Sequence, residues 1–150
     1  MPTSGRSRYY LATAQSFDDE MTRKVAEHVA ARGVGWITIE TPFDLAGAVA
    51  QLPADSTALV DCATMWLTNH LLADHDIAAE TARLLAALSD CKAEIIVVSN
   101  EVGAGIVPDN ALSRRFREAQ GKLNQQLAAL SDRAALVAAG LPVVLKGTFP

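Results

Sequence analysis

Four β-branched residues follow one another from Ile95 to Val98, apolar at every position, a run that predicts a strand covered on both faces. Three earlier segments carry the same kind of signal. Arg8 to Thr13 gains β preference from Tyr9, Tyr10 and Leu11, Trp36 to Glu40 alternates with β-branched residues, and Thr57 to Asp61 is an apolar run that ends in a carboxylate. Helical spacing fills the intervals. Met21, Val25, His28 and Val29 follow the acidic start Asp18-Asp19-Glu20, whose charge opposes the helix dipole favourably, and Arg32-Gly33 ends that helix. Pro42 and Asp44 open a second helix through Leu52, which Pro53 closes. Met65 to Leu72 reads as a short helix or lid, and Asp76 to Leu88 as a further helix. Leu112, Phe116, Ala119, Leu123, Leu127 and Leu130 recur at three- and four-residue steps behind a cap at Asp109 or Asn110. Ala134 to Ala138 and Val143 to Lys146, separated by Gly140 and Pro142, predict a hairpin that completes one edge of the sheet.

Strands that alternate with helices imply an α/β fold, a mainly parallel sheet with helices on both faces. Ligands of such sheets bind beyond the carboxyl ends of the strands. That rule directs attention to the loop after Val98, where Gly103 and Gly105 permit turns that side chains hinder and Pro108 delays the next helix.

Composition narrows the picture. A chain of 150 residues, 50% of them hydrophobic, has the size of one domain and can bury a sizeable core. The reading is therefore a single α/β domain over residues 1–150. A net charge of −4 and a pI near 5.3 argue against non-specific binding of nucleic acid or anionic membranes. Cys62 and Cys91 are too few for a disulfide framework, and reduced thiols in a cytoplasmic protein are the simpler expectation. No apolar run reaches the roughly 18 residues of a membrane span. Residues 1 to 7 are polar and read as a linker.

Candidate chemistry rests on few residues. Asp61 ends a buried strand, the position that in nucleotide-binding α/β folds places an acid near phosphate-bound magnesium; a strand-end turn carboxylate is the plainer alternative. Arg114, Arg115, Arg117 and Lys122 ring the first half of the long helix. Guanidinium forks match phosphate oxygens, yet a solvated helix face explains them almost as well. An imidazole such as that of His28 can attack an α-phosphate and divide a transfer into two steps, although most helix histidines are ordinary surface or core residues. His70 and His75 lack partners at metal-ligand spacing and read as ordinary polar residues.

The peptide NEVGAGIVP followed by RRFREAQGKLNQQLA closely resembles the bifunctional adenosylcobinamide kinase and adenosylcobinamide-phosphate guanylyltransferase family of cobalamin biosynthesis. YLATAQSFDDEM, the His28 to Trp36 spacing and the strand ending at Asp61 extend the likeness over nearly the whole chain. The resemblance implies a P-loop NTPase fold of the RecA-like type. It implies His28 as the histidine that accepts guanylate, with Thr13, Ala14, Gln15, Arg32, Gly33, Val34, Gly35, Glu40 and Asp61 around the guanine nucleotide, and Asp61 towards Mg²⁺. Asn100, Glu101, Arg114 and Arg117 are then residues of the corrinoid-phosphate site or of a subunit contact. GTP, ATP or GTP as phosphate donor, adenosylcobinamide or its phosphate as acceptor, and a homo-oligomer are implied with them.

The family normally opens with a strand, a glycine-rich loop G-x-x-x-x-G-K-S and a helix, and these 150 residues hold no such module. Ser4-Gly5-Arg6-Ser7 resembles the end of that loop but runs straight into the first strand. A phosphate loop supplies backbone N–H groups, a lysine and a hydroxyl to a triphosphate, so the kinase half depends on it most. The missing strand is expected to leave a flank or groove of the sheet exposed. The alternative reading is a non-catalytic family member, or a fragment, acting as an oligomerising binding module.

Overall fold

The computed structural model describes residues 5–15 and 18–150; Ser4 of the linker peptide and Ser16 and Phe17 lie outside them. The chain forms two compact units, residues 1–100 and 101–150.

In the first unit β1 (Arg8–Ala12), α1 (Asp19–Arg32), β2 (Trp36–Glu40), α2 (Leu45–Ala50), β3 (Thr57–Asp61), α3 (Ala63–Leu72), α4 (Ile77–Asp90) and β4 (Glu94–Val98) follow one another. The four strands form one parallel sheet in the order β2-β1-β3-β4. Each helix starts where a side chain accepts an early N–H. Asp18, Asp44 and Asp76 accept from Met21, Gly47 and Ala79. The helix expected from Met65 begins two residues earlier, and it is a packed core element with Trp66, Leu67 and Leu71 buried.

Register sorts the side chains into two faces. Because side chains alternate along a strand and register partners share a face, Leu11, Ala58 and Val60 point one way; Tyr10, Leu59 and Ile96 point the other. The first set is buried and, with Leu45, Val49, Trp66, Leu67 and Leu84 from α2, α3 and α4, makes the core. On the second face Arg32 of α1 lies over the Tyr10 ring. Helices thus flank the sheet on both faces.

Coverage of the second face is partial. α1 has no buried residue. The strand at 95–98, expected to be covered on two sides, is an edge strand with Ile96 53% and Val98 41% exposed. Its β-branched run reports strand formation; burial on both faces needed a further layer that the run itself does not supply.

The second unit is α5 (Ala111–Leu130) followed by β5 (Ala134–Ala138) and β6 (Leu141–Lys146). The expected hairpin forms, but it is a separate two-stranded sheet and completes no edge of the parallel one. Pro142 is inside β6, opposite Val137, and the turn is Ala139-Gly140 with positive φ at both positions. That turn suits strand twist, and proline is tolerated because a two-stranded ladder has only edge strands. Lys146 Nζ donates to the carbonyls of Ala128 and Ala129 at the carboxyl end of α5, at 3.0 and 2.9 Å.

Gly35 sits before β2 with φ +91°, and a Cβ there would stand 2.7 Å from Arg8 Nη2. Gly35→Ala is expected to cost about 1–2 kcal/mol of stability from the backbone conformation. Urea unfolding of the two proteins checks it.

Candidate functional site

The carboxyl ends of β1, β2 and β3 meet in one row, where Ala12 is in register with Glu40 on one side and Asp61 on the other. The chain beyond β1 is stitched to this rim. Thr13 N–H donates to Asp61 O, its hydroxyl donates to Cys62 O at 2.7 Å and accepts from Cys62 N–H at 2.8 Å. The buried Asn69 amide on α3 donates to Thr13 O at 2.7 Å and Pro42 O at 3.0 Å. Trp66 Nε1 donates to Phe43 O at 3.0 Å. The loops after β1 and β2 are therefore fixed from below by α3. Thr13 is fully buried with its polar groups committed to the protein, whereas Ala14 and Gln15 are half-buried on the rim and Glu40 is exposed.

Asp61 joins the rim to α1 through Tyr10. The Tyr10 hydroxyl donates to Asp61 Oδ2. The ring carries the Arg32 guanidinium carbon 3.3 Å from its centroid and meets Trp36 edge-on at 6.3 Å. His28 precedes Arg32 by four residues, so both are on one face of α1 about 6 Å apart along its axis. His28 is exposed and stands on the carboxyl-rim side of Arg32, because α1 runs from the end of β1 back towards the start of β2.

Gly33, Val34 and Gly35 are elsewhere. They lead into Trp36, the register partner of Arg8 and thus at the amino end of the sheet, roughly 13 Å along the strands from the rim. Arg8 holds this turn, its Nη2 donating to Val34 O at 3.2 Å. The residues named around a nucleotide therefore fall into a rim group, Ala14, Gln15, Glu40 and Asp61 above buried Thr13, and an amino-end group, Gly33 to Gly35. Arg32 connects them, since its long side chain reaches back to mid-strand.

Asn100, the last residue of the first unit, donates its N–H to Thr64 Oγ1 at 2.9 Å. The remaining named residues belong to the second unit. There Glu101 Oε1 accepts from Gly103 N–H at 2.5 Å, Arg117 Nη2 donates to Gly103 O at 2.7 Å and Arg114 Nη1 to Pro108 O at 2.9 Å. The two arginines tie the glycine-bearing loop to α5 around an open pocket of about 470 Å³, which Val107, Lys122 and Gln125 also line.

Two observations bear on what the rim of the first unit accepts. Arg32 Nη1 is buried and has no hydrogen-bond acceptor among the described residues, an orphaned donor that an anionic oxygen would satisfy. Among the described residues no three His, Cys, Asp or Glu side chains form a metal cluster. One strand-end carboxylate with an oxygen left over from the Tyr10 bond fits Mg²⁺ held chiefly by phosphates and water.

In the sequence Tyr10 shows β preference and opens the motif YLATAQSFDDEM, but its contacts are not legible there. Its alternation parity with Ala12 was visible, but its register with β3, which brings it to Asp61, was not. Burial first, then the hydrogen bond to Asp61 and that residue's charge, push the phenol up to about 12 from 10. The raised value favours the folded protein while the phenol is protonated. Its contribution is complete below pH 10 and is lost as pH rises to about 12. Tyr10→Phe is expected to flatten the alkaline decline in stability over that window by on the order of 2 kcal/mol, measured by urea unfolding at successive pH values.

The family model for cobinamide kinase / cobinamide phosphate guanyltransferase matches residues 1–145. The chain is 44% identical over 147 residues to the bifunctional adenosylcobalamin biosynthesis protein CobP of Pseudomonas aeruginosa, covering 96% of this chain and 85% of that protein. It is 39% identical to the bifunctional adenosylcobalamin biosynthesis protein CobU of Salmonella typhimurium and 37% to that of Escherichia coli, each over 91% of this chain and 84% of the relative. Similarity of this extent, carried by a parallel sheet flanked by helices with an acidic carboxyl rim, means that the chain belongs to the cobinamide kinase / cobinamide phosphate guanyltransferase family.

Proposed function

We propose that this protein transfers GMP from GTP to adenosylcobinamide phosphate through a guanylyl-histidine formed on His28, and that it takes part in phosphorylating adenosylcobinamide with ATP or GTP. The observation that carries the first half is the shared face of α1: His28 and Arg32 lie one turn apart, and Arg32 is seated on Tyr10, whose hydroxyl holds the rim carboxylate Asp61. In the first step an imidazole nitrogen of His28 attacks the α-phosphorus. A P–N bond forms, the bond to the β-phosphate oxygen breaks, and pyrophosphate leaves. In the second step a phosphate oxygen of the acceptor attacks the same phosphorus and the P–N bond breaks, which restores the imidazole.

Arg32 Nη1 supplies a donor to a phosphate oxygen, and Asp61 would hold Mg²⁺. The ion, when bound, neutralises charge on the phosphates and on the leaving pyrophosphate. Glu40, Ala14 and Gln15 line the same rim. Gly33 to Gly35 set the exit of α1 and thereby the placement of Arg32. Asn100, Glu101, Arg114 and Arg117 are assigned to the corrinoid phosphate or a subunit contact.

Cytoplasmic residence fits two half-buried thiols. A homo-oligomer is supported by the apolar side chains of β5 and β6, of which Val137, Leu141 and Leu145 are well exposed. The described residues hold no helix long and apolar enough to cross a membrane.

The test is calorimetry with GTP and Mg²⁺ followed by turnover with adenosylcobinamide phosphate. Saturable heat, with pyrophosphate and the guanylylated corrinoid released in equal amounts, is expected. The absence of both heat and product would identify a non-catalytic family member instead.

A further inference from the structure

Tyr10 makes two contacts that no other described side chain makes at once. It is buried to 7% exposure in β1, its ring face supports the charged group of α1, and its hydroxyl reaches the carboxylate at the end of β3. Trp36 braces the ring from the side, edge-on at 89°, and Arg8 in turn covers Trp36 with its guanidinium carbon 5.2 Å from the ring centroid. A phenol ring is rigid, so its face and its hydroxyl cannot be displaced independently. The positions of Arg32 and Asp61 are therefore linked through one side chain.

α1 has little else to locate it. None of its residues is buried, and the only side chains of its sheet-facing stripe that lose even part of their exposure are Met21, Val25 and Arg32. The guanidinium on Tyr10 is thus a principal anchor of the helix face that also presents His28. Its Nη1, buried and without an acceptor among the described residues, is left for a ligand.

We propose that Tyr10 is a positioning residue for guanylyl transfer: it holds Arg32 by its ring and Asp61 by its hydroxyl, setting the separation between the phosphate-binding guanidinium on α1 and the carboxylate at the sheet rim. The inference rests on the proposed role of His28 and adds a residue that does not itself touch the nucleotide. The hydroxyl also fixes Asp61 through Oδ2 and leaves Oδ1 outside that bond. Loss of the hydroxyl frees Asp61 to rotate while Arg32 keeps its platform; loss of the ring releases both.

The experiment compares the native protein with Tyr10→Phe and Tyr10→Leu, using GTP labelled in the α-phosphate together with Mg²⁺. For Tyr10→Phe the rate of protein labelling at saturating GTP is expected to fall about 100-fold, the scale of a small misplacement of reacting groups, with half-saturation by GTP nearly unchanged. For Tyr10→Leu, half-saturation should also rise, by about 10-fold, since Arg32 loses its seat. The Arg32 Nε–H resonance reports the seat directly: shifted by the ring current in the native protein and Tyr10→Phe, unshifted in Tyr10→Leu. Native labelling kinetics in Tyr10→Phe would overturn the positioning role and leave the His28 reading intact. A native protein that takes no label would overturn the reading, and the inference with it. An unchanged Arg32 resonance in Tyr10→Leu would overturn the anchoring of α1 whatever the labelling shows.

Discussion

His28→Ala is expected to lose the acid-labile label that GTP leaves on the native protein, by at least about 10³-fold, because among the described residues α1 carries no second histidine. The reason is geometric as well as chemical. His28 is exposed on α1, one turn from Arg32, and the other two histidines are occupied elsewhere. His70 is buried under Phe43 and Trp66, with its Nε2 on Phe43 O at 3.0 Å and its Nδ1 2.9 Å from His75 Nδ1. Since His28 contributes nothing to the core, the variant should unfold at the same urea concentration as the native protein. Loss of label would then report chemistry and not stability. Val29→Ala, the exposed neighbouring substitution on α1, should label normally.

The second large effect is on stability. Trp66 is the largest fully buried side chain of the first unit, 1% exposed, and its indole N–H holds the loop after β2. Trp66→Ala should destabilise by about 3–5 kcal/mol through lost burial and the cavity left behind. It also leaves Phe43 O with His70 Nε2 as its remaining partner among the described residues. Trp66→Phe keeps most of the packing and removes the hydrogen bond, at a cost of about 1 kcal/mol. The two together separate packing from bonding. Because Asn69 on the same helix holds Thr13 and Pro42, Trp66→Ala should also weaken GTP binding, whereas Trp66→Phe should not.

These expectations depend on features of unequal visibility in the sequence. The strands at 36–40, 57–61 and 94–98 could be read almost to the residue, since short β-branched runs bounded by glycine, proline or polar residues have few alternatives. Helix starts were marked by aspartates at 18, 44 and 76, which do cap. Pairing order was not legible. Nothing local in Ile95 to Val98 says that the strand lies at an edge, and nothing in Val143 to Lys146 says that the hairpin pairs only with itself.

The site was legible in part for the same reason. Asp61 stood out as a strand-end carboxylate, Glu40 entered through the family resemblance, and in a parallel sheet strand ends share a rim. That Gly33 to Gly35 are at the opposite end was also available, because they precede β2 whereas Glu40 ends it. Tyr10 was hidden. Its importance comes from register with β3 and from an arginine that follows it by 22 positions, neither of which a periodicity of two reveals.

The guanylyl-histidine is open to direct observation. After incubation with GTP and Mg²⁺, digestion at neutral to alkaline pH and mass spectrometry of the peptides should find one GMP adduct, on the peptide of α1 that contains His28. It should disappear on brief acid treatment or on addition of adenosylcobinamide phosphate. An adduct on any other residue, or one on His28 that the corrinoid acceptor does not discharge, would contradict the account.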